Sequence, residues 1–238
     1  MCTLTYLPKG DTDFILGSSR DVMRVRALAL PPKMYGSKTC QLYYAKDGQA
    51  GGTWLGISSR KRLVCLLNGA YDFYMPDPPY RKSRGQIVLE ALEFNLIDQV
   101  LEMNDFDGIE PFSMLIIDWV DEIRLFELRW DGVSRHLNTL KNEPFIWSSS
   151  TLFTPVMKAK REAVFNEWIQ GLSEVKYSAL MDFHNKACAD TPESAIKMKR
   201  KYFCTVSISI LEKKGLGFEW RYQDILRDAS HISNIEFD

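Results

Sequence analysis

A cysteine at position 2, an Arg-Asp pair at 20 and 21 and an asparagine at 68 are the residues of this chain that could do covalent chemistry together. A methionine ahead of a residue as small as cysteine is normally removed after translation, so the mature chain is expected to begin at Cys2. Such a residue carries a thiol and a free α-amine on one carbon skeleton. Unperturbed, the amine titrates at roughly 7.7–8.0 and the thiol at about 8.5, so one residue supplies both a nucleophile and its base. The thiol attacks as the thiolate, and a nearby cation such as Arg20 lowers its pKa. Asp21 would orient the α-ammonium by accepting a hydrogen bond. A carbonyl under attack needs donors where negative charge develops, each contributing about 3 kcal/mol, and the side-chain amide of Asn68 is one such donor. The chemistry of the set is amide hydrolysis. The same residues also have plainer readings: Cys2 as a small edge-strand residue, Arg20–Asp21 as a surface ion pair, and Asn68 as a turn residue beside Gly69.

For Arg20 and Asp21 to reach Cys2, the chain must fold back on itself early. Thr3 to Leu7 and Phe14 to Ser18 are β-prone runs separated by Pro8-Lys9-Gly10-Asp11, which is turn chemistry. A turn centred near residue 11 places Cys2 opposite Arg20. A second hairpin, Thr53 to Ile57 and Leu63 to Leu67 around Ser58-Ser59-Arg60-Lys61, runs out at Asn68-Gly69. Residues 71–80 hold three prolines and four aromatics with no helical or strand period. They form a long loop of the kind that often serves as a lid, and the aromatics Tyr71, Phe73 and Tyr74 suggest an apolar acyl group as guest.

Ser83 and Gln86 have capping-box spacing, opening a helix to Met103 with Val88, Leu92, Leu96 and Val100 along one stripe. Strands are expected at Ser113–Trp119, Ile123–Trp130 and Val133–Leu137, the last two joined at Asp131-Gly132. Thr154-Pro155 starts a helix to Gln170, Tyr177–Cys188 is a second, and Thr191-Pro192 opens a short third. Two more strands, Tyr202–Leu211 and Leu216–Tyr222, close the chain. With no βαβ alternation and no repeat, one α+β domain spanning residues 1–238 is expected.

Bulk properties narrow the function classes. An apolar fraction of 45 % is enough for a sizeable core. A formal charge of −1 leaves no electrostatic footprint for nucleic acid, and Lys197-Met198-Lys199-Arg200-Lys201 reads as a solvated helix end. Cysteines at 2, 40, 65, 188 and 204 include no C-x-x-C pair, which argues against a disulfide framework and a zinc ribbon. His136, His184 and His231 make no zinc-binding pair, and no phosphate-binding or nucleotide-binding glycine fingerprint occurs. No metal or cofactor is therefore expected. With neither a signal-peptide stretch nor a membrane span, the expected location is the cytoplasm.

Met1-Cys2, Ser19-Arg20-Asp21, Gly51-Gly52-Thr53-Trp54-Leu55-Gly56-Ile57-Ser58, the Asn68 position and Ser83-Arg84-Gly85 together resemble the NRDE family, also called the transport and Golgi organization protein 2 family. The resemblance covers residues 1–100, with Thr154-Pro155 after a serine-rich loop as a later landmark. The family is similar to the N-terminal nucleophile hydrolases, which implies a four-layer αββα sandwich. It also implies roles: Cys2 as nucleophile, Arg20 as the thiol-tuning arginine, Asp21 as the amine-binding aspartate and Asn68 as the oxyanion donor. Trp54 and Ser149 join Tyr71, Phe73 and Tyr74 as candidate pocket residues.

The sequence departs from the family pattern in its outer shell. The eponymous Asn-Arg-Asp-Glu reads Ser19-Arg20-Asp21-Val22, and a second asparagine is replaced by serine near Ser149. At the place of a late arginine stand Arg200, Lys201 and Phe203. Three functions are compatible with this pattern. One is an N-terminal-cysteine amidohydrolase acting on a small molecule with an apolar acyl part. The second is a non-catalytic protein that binds or traffics a lipid or haem in the same pocket. The third is a pocket left over from an enzyme ancestor.

Overall fold

The computed structural model describes residues 2–237, with the side chain of Cys2 outside the described atoms. Two compact units form, one from the chain up to Arg26 with Glu143–Glu236, the other from Ala27–Asn142. The chain opens with strands β1 (Cys2–Lys9) and β2 (Asp13–Met23), paired antiparallel from Cys2↔Arg20 to Lys9↔Asp13. This is the register expected from the turn. Gly10 takes φ +75° in that reversal, a conformation that glycine adopts without steric cost.

The second unit is a meander. Strands β3 (Leu30–Ser37), β4 (Cys40–Lys46), β5 (Leu55–Ser58) and β6 (Arg62–Asn68) come first, then helices α1 (Arg84–Glu93) and α2 (Ile97–Leu101). Strands β7 (Phe112–Asp118), β8 (Arg124–Trp130) and β9 (Arg135–Leu140) complete it. They form one sheet in the order β3-β4-β5-β6-β7-β8-β9, with every neighbouring pair antiparallel. The two helices cover one face, burying Val64, Leu66, Val88, Leu92, Val100 and Met114 in a common core.

The expected helix from Ser83 to Met103 is two helices. Arg62 reaches from β6 and donates from Nη1 to the carbonyls of Ala91 and Phe94, both at 2.9 Å, which satisfies the α1 terminus and stops it. Leu96, placed on the buried stripe by period, is exposed in the resulting break, and its N–H donates to Gln99 Oε1. Ser83 stands at the α1 N-cap, but its side chain makes no capping bond. Strand β3, unassigned in the sequence, is hidden there by Pro31 and Pro32. Prolines are tolerated in it because it is an edge strand with a register irregularity at that place.

The first unit resumes with β10 (Phe145–Ser148), α3 (Pro155–Gln170), α4 (Tyr177–Lys186), β11 (Phe203–Lys214), β12 (Gly217–Asp224) and β13 (Ala229–Ile235). Its sheet has the order β10-β1-β2-β11-β12-β13, again antiparallel throughout. Strand β1 is therefore interior, which corrects the edge-strand reading of Cys2. Thr154 caps α3 by accepting from the Met157 N–H. Helix α4 ends early, and Thr191-Pro192 lies in turns instead of opening a third helix. Cys188 takes φ +57° there, and Thr191 N–H donates to its carbonyl. The basic run 197–201 is also non-helical, with Lys199 bridging Cys204. Helices α3 and α4 pack on one sheet face, with Phe165 and Phe183 from the helices in a common core with Leu7, Ile15, Ile208 and Ile210 from the strands.

Candidate functional site

Alternation along β2 decides which neighbours each candidate residue meets. Positions 15, 17, 19 and 21 share the face on which α3 and α4 pack, and Arg20 belongs to the other. Arg20 and Asp21 are both buried, at 3 % and 0 % exposure, and lie on opposite faces, so they do not form a surface ion pair. Arg20 stands opposite Cys2 on β1 and opposite Ser207 on β11. The expected Cys2–Arg20 juxtaposition is thus present in the main chain. The Cys2 sulfur and Met1 lie outside the described residues.

Asp21 is the most distinctive group of the unit. Its Oδ1 accepts from Thr205 Oγ1 at 2.5 Å, while its Oδ2, equally buried, has no hydrogen-bond partner among the described residues. An orphaned buried acceptor carries a penalty of about 1–3 kcal/mol, more when charged. Burial pushes the Asp21 carboxyl up to about 6, against the lowering effects of the Thr205 bond and the Arg161 charge.

Arg161, on α3, is fully buried and escaped the sequence reading. Its Nη1 donates to Thr3 Oγ1 at 2.8 Å and Ser148 Oγ at 3.0 Å, Nε to the Ser194 carbonyl at 2.8 Å, and Nη2 to the Ala195 carbonyl. The guanidinium also stacks on Phe153, 3.4 Å from the ring centroid. Burial lowers its pKa to about 10 in spite of the Asp21 charge. A signal for it existed: Arg161 precedes Phe165 by one helical turn, on the buried stripe of α3.

His184 is a packed residue. Ser19 Oγ meets its Nδ1 at 2.7 Å and Thr5 Oγ1 its Nε2 at 2.8 Å, and burial drives its pKa down to about 3. A neutral ring held between two hydroxyls is the result. Ser149, also buried, follows Ser148, the register partner of Thr3, so it stands at the Cys2 end of the sheet. Its hydroxyl contacts Thr151 Oγ1 at 2.9 Å. Arg200 is engaged elsewhere, donating to the carbonyls of Leu152 and Glu193.

The other candidates belong to the second unit. Asn68 is the last residue of β6, half-buried and opposite Phe112; Gly69 follows at φ +79° with its N–H on the Pro111 carbonyl. Trp54 is buried. Tyr74 is held by polar partners, donating to Glu110 Oε1 at 2.6 Å and accepting from Arg84 Nη1 at 2.9 Å. Tyr71 lies under Arg129 and edge-on to His136, while Phe73 is 66 % exposed.

The Gly51–Ser58 block seats α1. A Cβ on Gly52 would come within 2.5 Å of the Gly85 carbonyl carbon, one on Gly85 within 2.9 Å of the Thr53 carbonyl oxygen, and one on Gly56 within 2.7 Å of Leu92. The two glycine-containing segments of the resemblance therefore touch each other, and only residues without a Cβ allow that approach.

The family model described as Transport and Golgi organisation 2 matches residues 1–213. No curated protein matches the chain by sequence. Among solved structures, penicillin V acylase from Agrobacterium tumefaciens is similar with a TM-score of 0.57 at 10% identity, over 99% of this chain and 86% of that one. A conjugated bile acid hydrolase variant from Clostridium perfringens gives 0.58 at 10%, over 100% and 97%. The Caenorhabditis elegans ortholog of N-acylethanolamine-hydrolyzing acid amidase gives 0.56 at 12%, over 88% and 92%. These neighbours are acyl-amide hydrolases of the N-terminal nucleophile fold, and the likeness shows that fold here: an α+β sandwich built on two antiparallel sheets.

Proposed function

This chain belongs to the Transport and Golgi organisation 2 family, and from that premise we propose that it is a single-domain cytoplasmic amidohydrolase whose nucleophile is Cys2. The observation that carries the reading is Asp21, a carboxylate fully buried beside the strand that Cys2 begins, with one oxygen unpartnered among the described residues. An α-ammonium is a complementary group for such an oxygen, and removal of Met1 would create one on Cys2. The four described cysteines are free thiols, which suits a reducing compartment. No helix of the described residues is long and apolar enough to cross a membrane.

In the reaction, the Cys2 thiolate adds to the amide carbonyl, forming a C–S bond while the proton of the thiol rests on the α-amine. The C–N bond then breaks, and the leaving amine takes that proton. Water attacks the thioester, giving the carboxylic acid and restoring the thiol. Arg20, opposite Cys2, favours the thiolate. Asn68 is assigned the oxyanion on the family resemblance. Trp54, Tyr71, Phe73, Tyr74 and Ser149 are assigned to the acyl pocket, and the substrate is a small molecule with an apolar acyl part.

The test is a panel of acyl amides offered to protein that begins at Cys2, with products read by mass spectrometry. Hydrolysis that vanishes in Cys2→Ala supports the reading. On any hit, Asn68→Ala should lower turnover by roughly 10²-fold or more with little change in affinity. If apolar ligands bind, no product forms, and affinity tracks Tyr71, Phe73 and Tyr74, the protein is a carrier of a lipid- or haem-like ligand instead.

A further inference from the structure

We propose that Arg161 is a positioning residue for the nucleophile strand, holding the Cys2 end of β1 in place and keeping the groups around Asp21 in their reactive protonation states. This rests on the amidohydrolase reading above. A single guanidinium spans four chain segments. It donates to Thr3, the residue after Cys2, to Ser148, the register partner of Thr3, and to the carbonyls of Ser194 and Ala195, with Phe153 stacked on its face. Arg161, Thr3, Phe153, Ser194 and Ala195 are buried and Ser148 is half-buried, and the hydroxyls and carbonyls that accept from the guanidinium are all neutral. Its charge therefore acts on Asp21 at longer range: burial raises the Asp21 pKa and lowers that of Arg161, and the attraction between the two opposes both shifts.

Arg20, opposite Cys2, favours the thiolate from the next strand and is kept in every variant below, and the remaining charged or titratable groups act less directly. Arg200 adds a second positive charge near Asp21, and Lys160 lies near Cys188. His184 on α4 is neutral, and burial raises the thiols of Cys188 and Cys204 so that both stay protonated. Beside a buried cation, every titrating group releases its proton at lower pH: a carboxyl, a thiol and an α-ammonium alike. Arg161 thus helps to keep Asp21 ionised and the α-amine of Cys2 free to accept a proton.

The experiment reads iodoacetamide labelling of Cys2 against pH, in protein beginning at Cys2 and without any substrate. Arg161→Met should raise the labelling midpoint by about one pH unit, since a buried cation has been lost. Arg161→Lys keeps the charge and loses the forked contacts, so its midpoint should stay at the wild-type value while its labelling rate changes several-fold. Thr3→Val removes one contact and no charge, and should change the rate without moving the midpoint. A midpoint that rises equally in the Lys and Met variants, or in neither, overturns the proposal. Should the Met variant fail to fold, the Lys variant decides: a wild-type labelling rate refutes the positioning role. A protein that shows these shifts yet hydrolyses no amide in the panel would refute the hydrolase reading and leave the role of Arg161 standing.

Discussion

Asp21 and His184 are two buried titratable residues whose effects on stability oppose each other. His184 has its pKa pushed from 6.5 down to about 3, so below pH 6.5 the unfolded chain binds a proton that the folded one refuses. Acidification through that window costs about 1.4 kcal/mol per pH unit. Asp21 is raised from 3.8 to about 6, so in that interval the folded chain binds the extra proton and stability falls as pH rises. Between about 4 and about 6 the two slopes cancel. In protein that retains Met1, Asp21→Asn should therefore lose stability steadily below pH 6.5, and His184→Gln should lose it as pH climbs from about 4 to about 6. Urea unfolding at stepped pH reads both, and flat profiles in both variants would contradict the burial argument. When Cys2 is the first residue, its α-ammonium is expected to pair with Asp21 Oδ2, leaving only the acid lability of His184.

At the scale of elements, helix α1 is held at both ends by contacts that single substitutions can break. Gly52→Ala drives a Cβ into the backbone of Gly85, which cannot swing aside, and should cost about 1–3 kcal/mol. Arg62→Met removes the donor for the Ala91 and Phe94 carbonyls and one of two cations beside buried Asp118, and should cost about 3 kcal/mol. Chemical denaturation measures both; a change below about 0.5 kcal/mol in either would mean that α1 is seated by its apolar face alone. The same contacts explain what the sequence could not say about this region. The stripe Val88, Leu92, Leu96, Val100 has unbroken helical spacing, and the break is imposed by Arg62 from a strand. The opening hairpin, by contrast, was legible to the exact pair because turn and alternation are local. Strands β3, β4 and β13 were missed for a related reason: β3 and β13 are edges, exposed along most of their length, and β4 is buried at four successive positions, so burial writes little alternation into any of them.

Across the whole molecule, legibility followed sequence distance. Cys2, Arg20 and Asp21 could be grouped because one short turn joins them. Thr205 lies 184 positions from Asp21, and Arg161 lies 158 from Thr3, so no local pattern announces either contact. The sandwich of two antiparallel sheets, found over the full length of the chain in acyl-amide hydrolases, was foreseen through the motif resemblance and not through composition. The central claim is that Cys2 is a chain-terminal nucleophile. Its most direct test is the mass of the N-terminal peptide from natively expressed protein, acid-quenched during turnover of an acyl amide. The expected result is a peptide that begins at Cys2 and carries one acyl group. A peptide that keeps Met1 quantitatively, or an unmodified Cys2 while the amide is being hydrolysed, would contradict it.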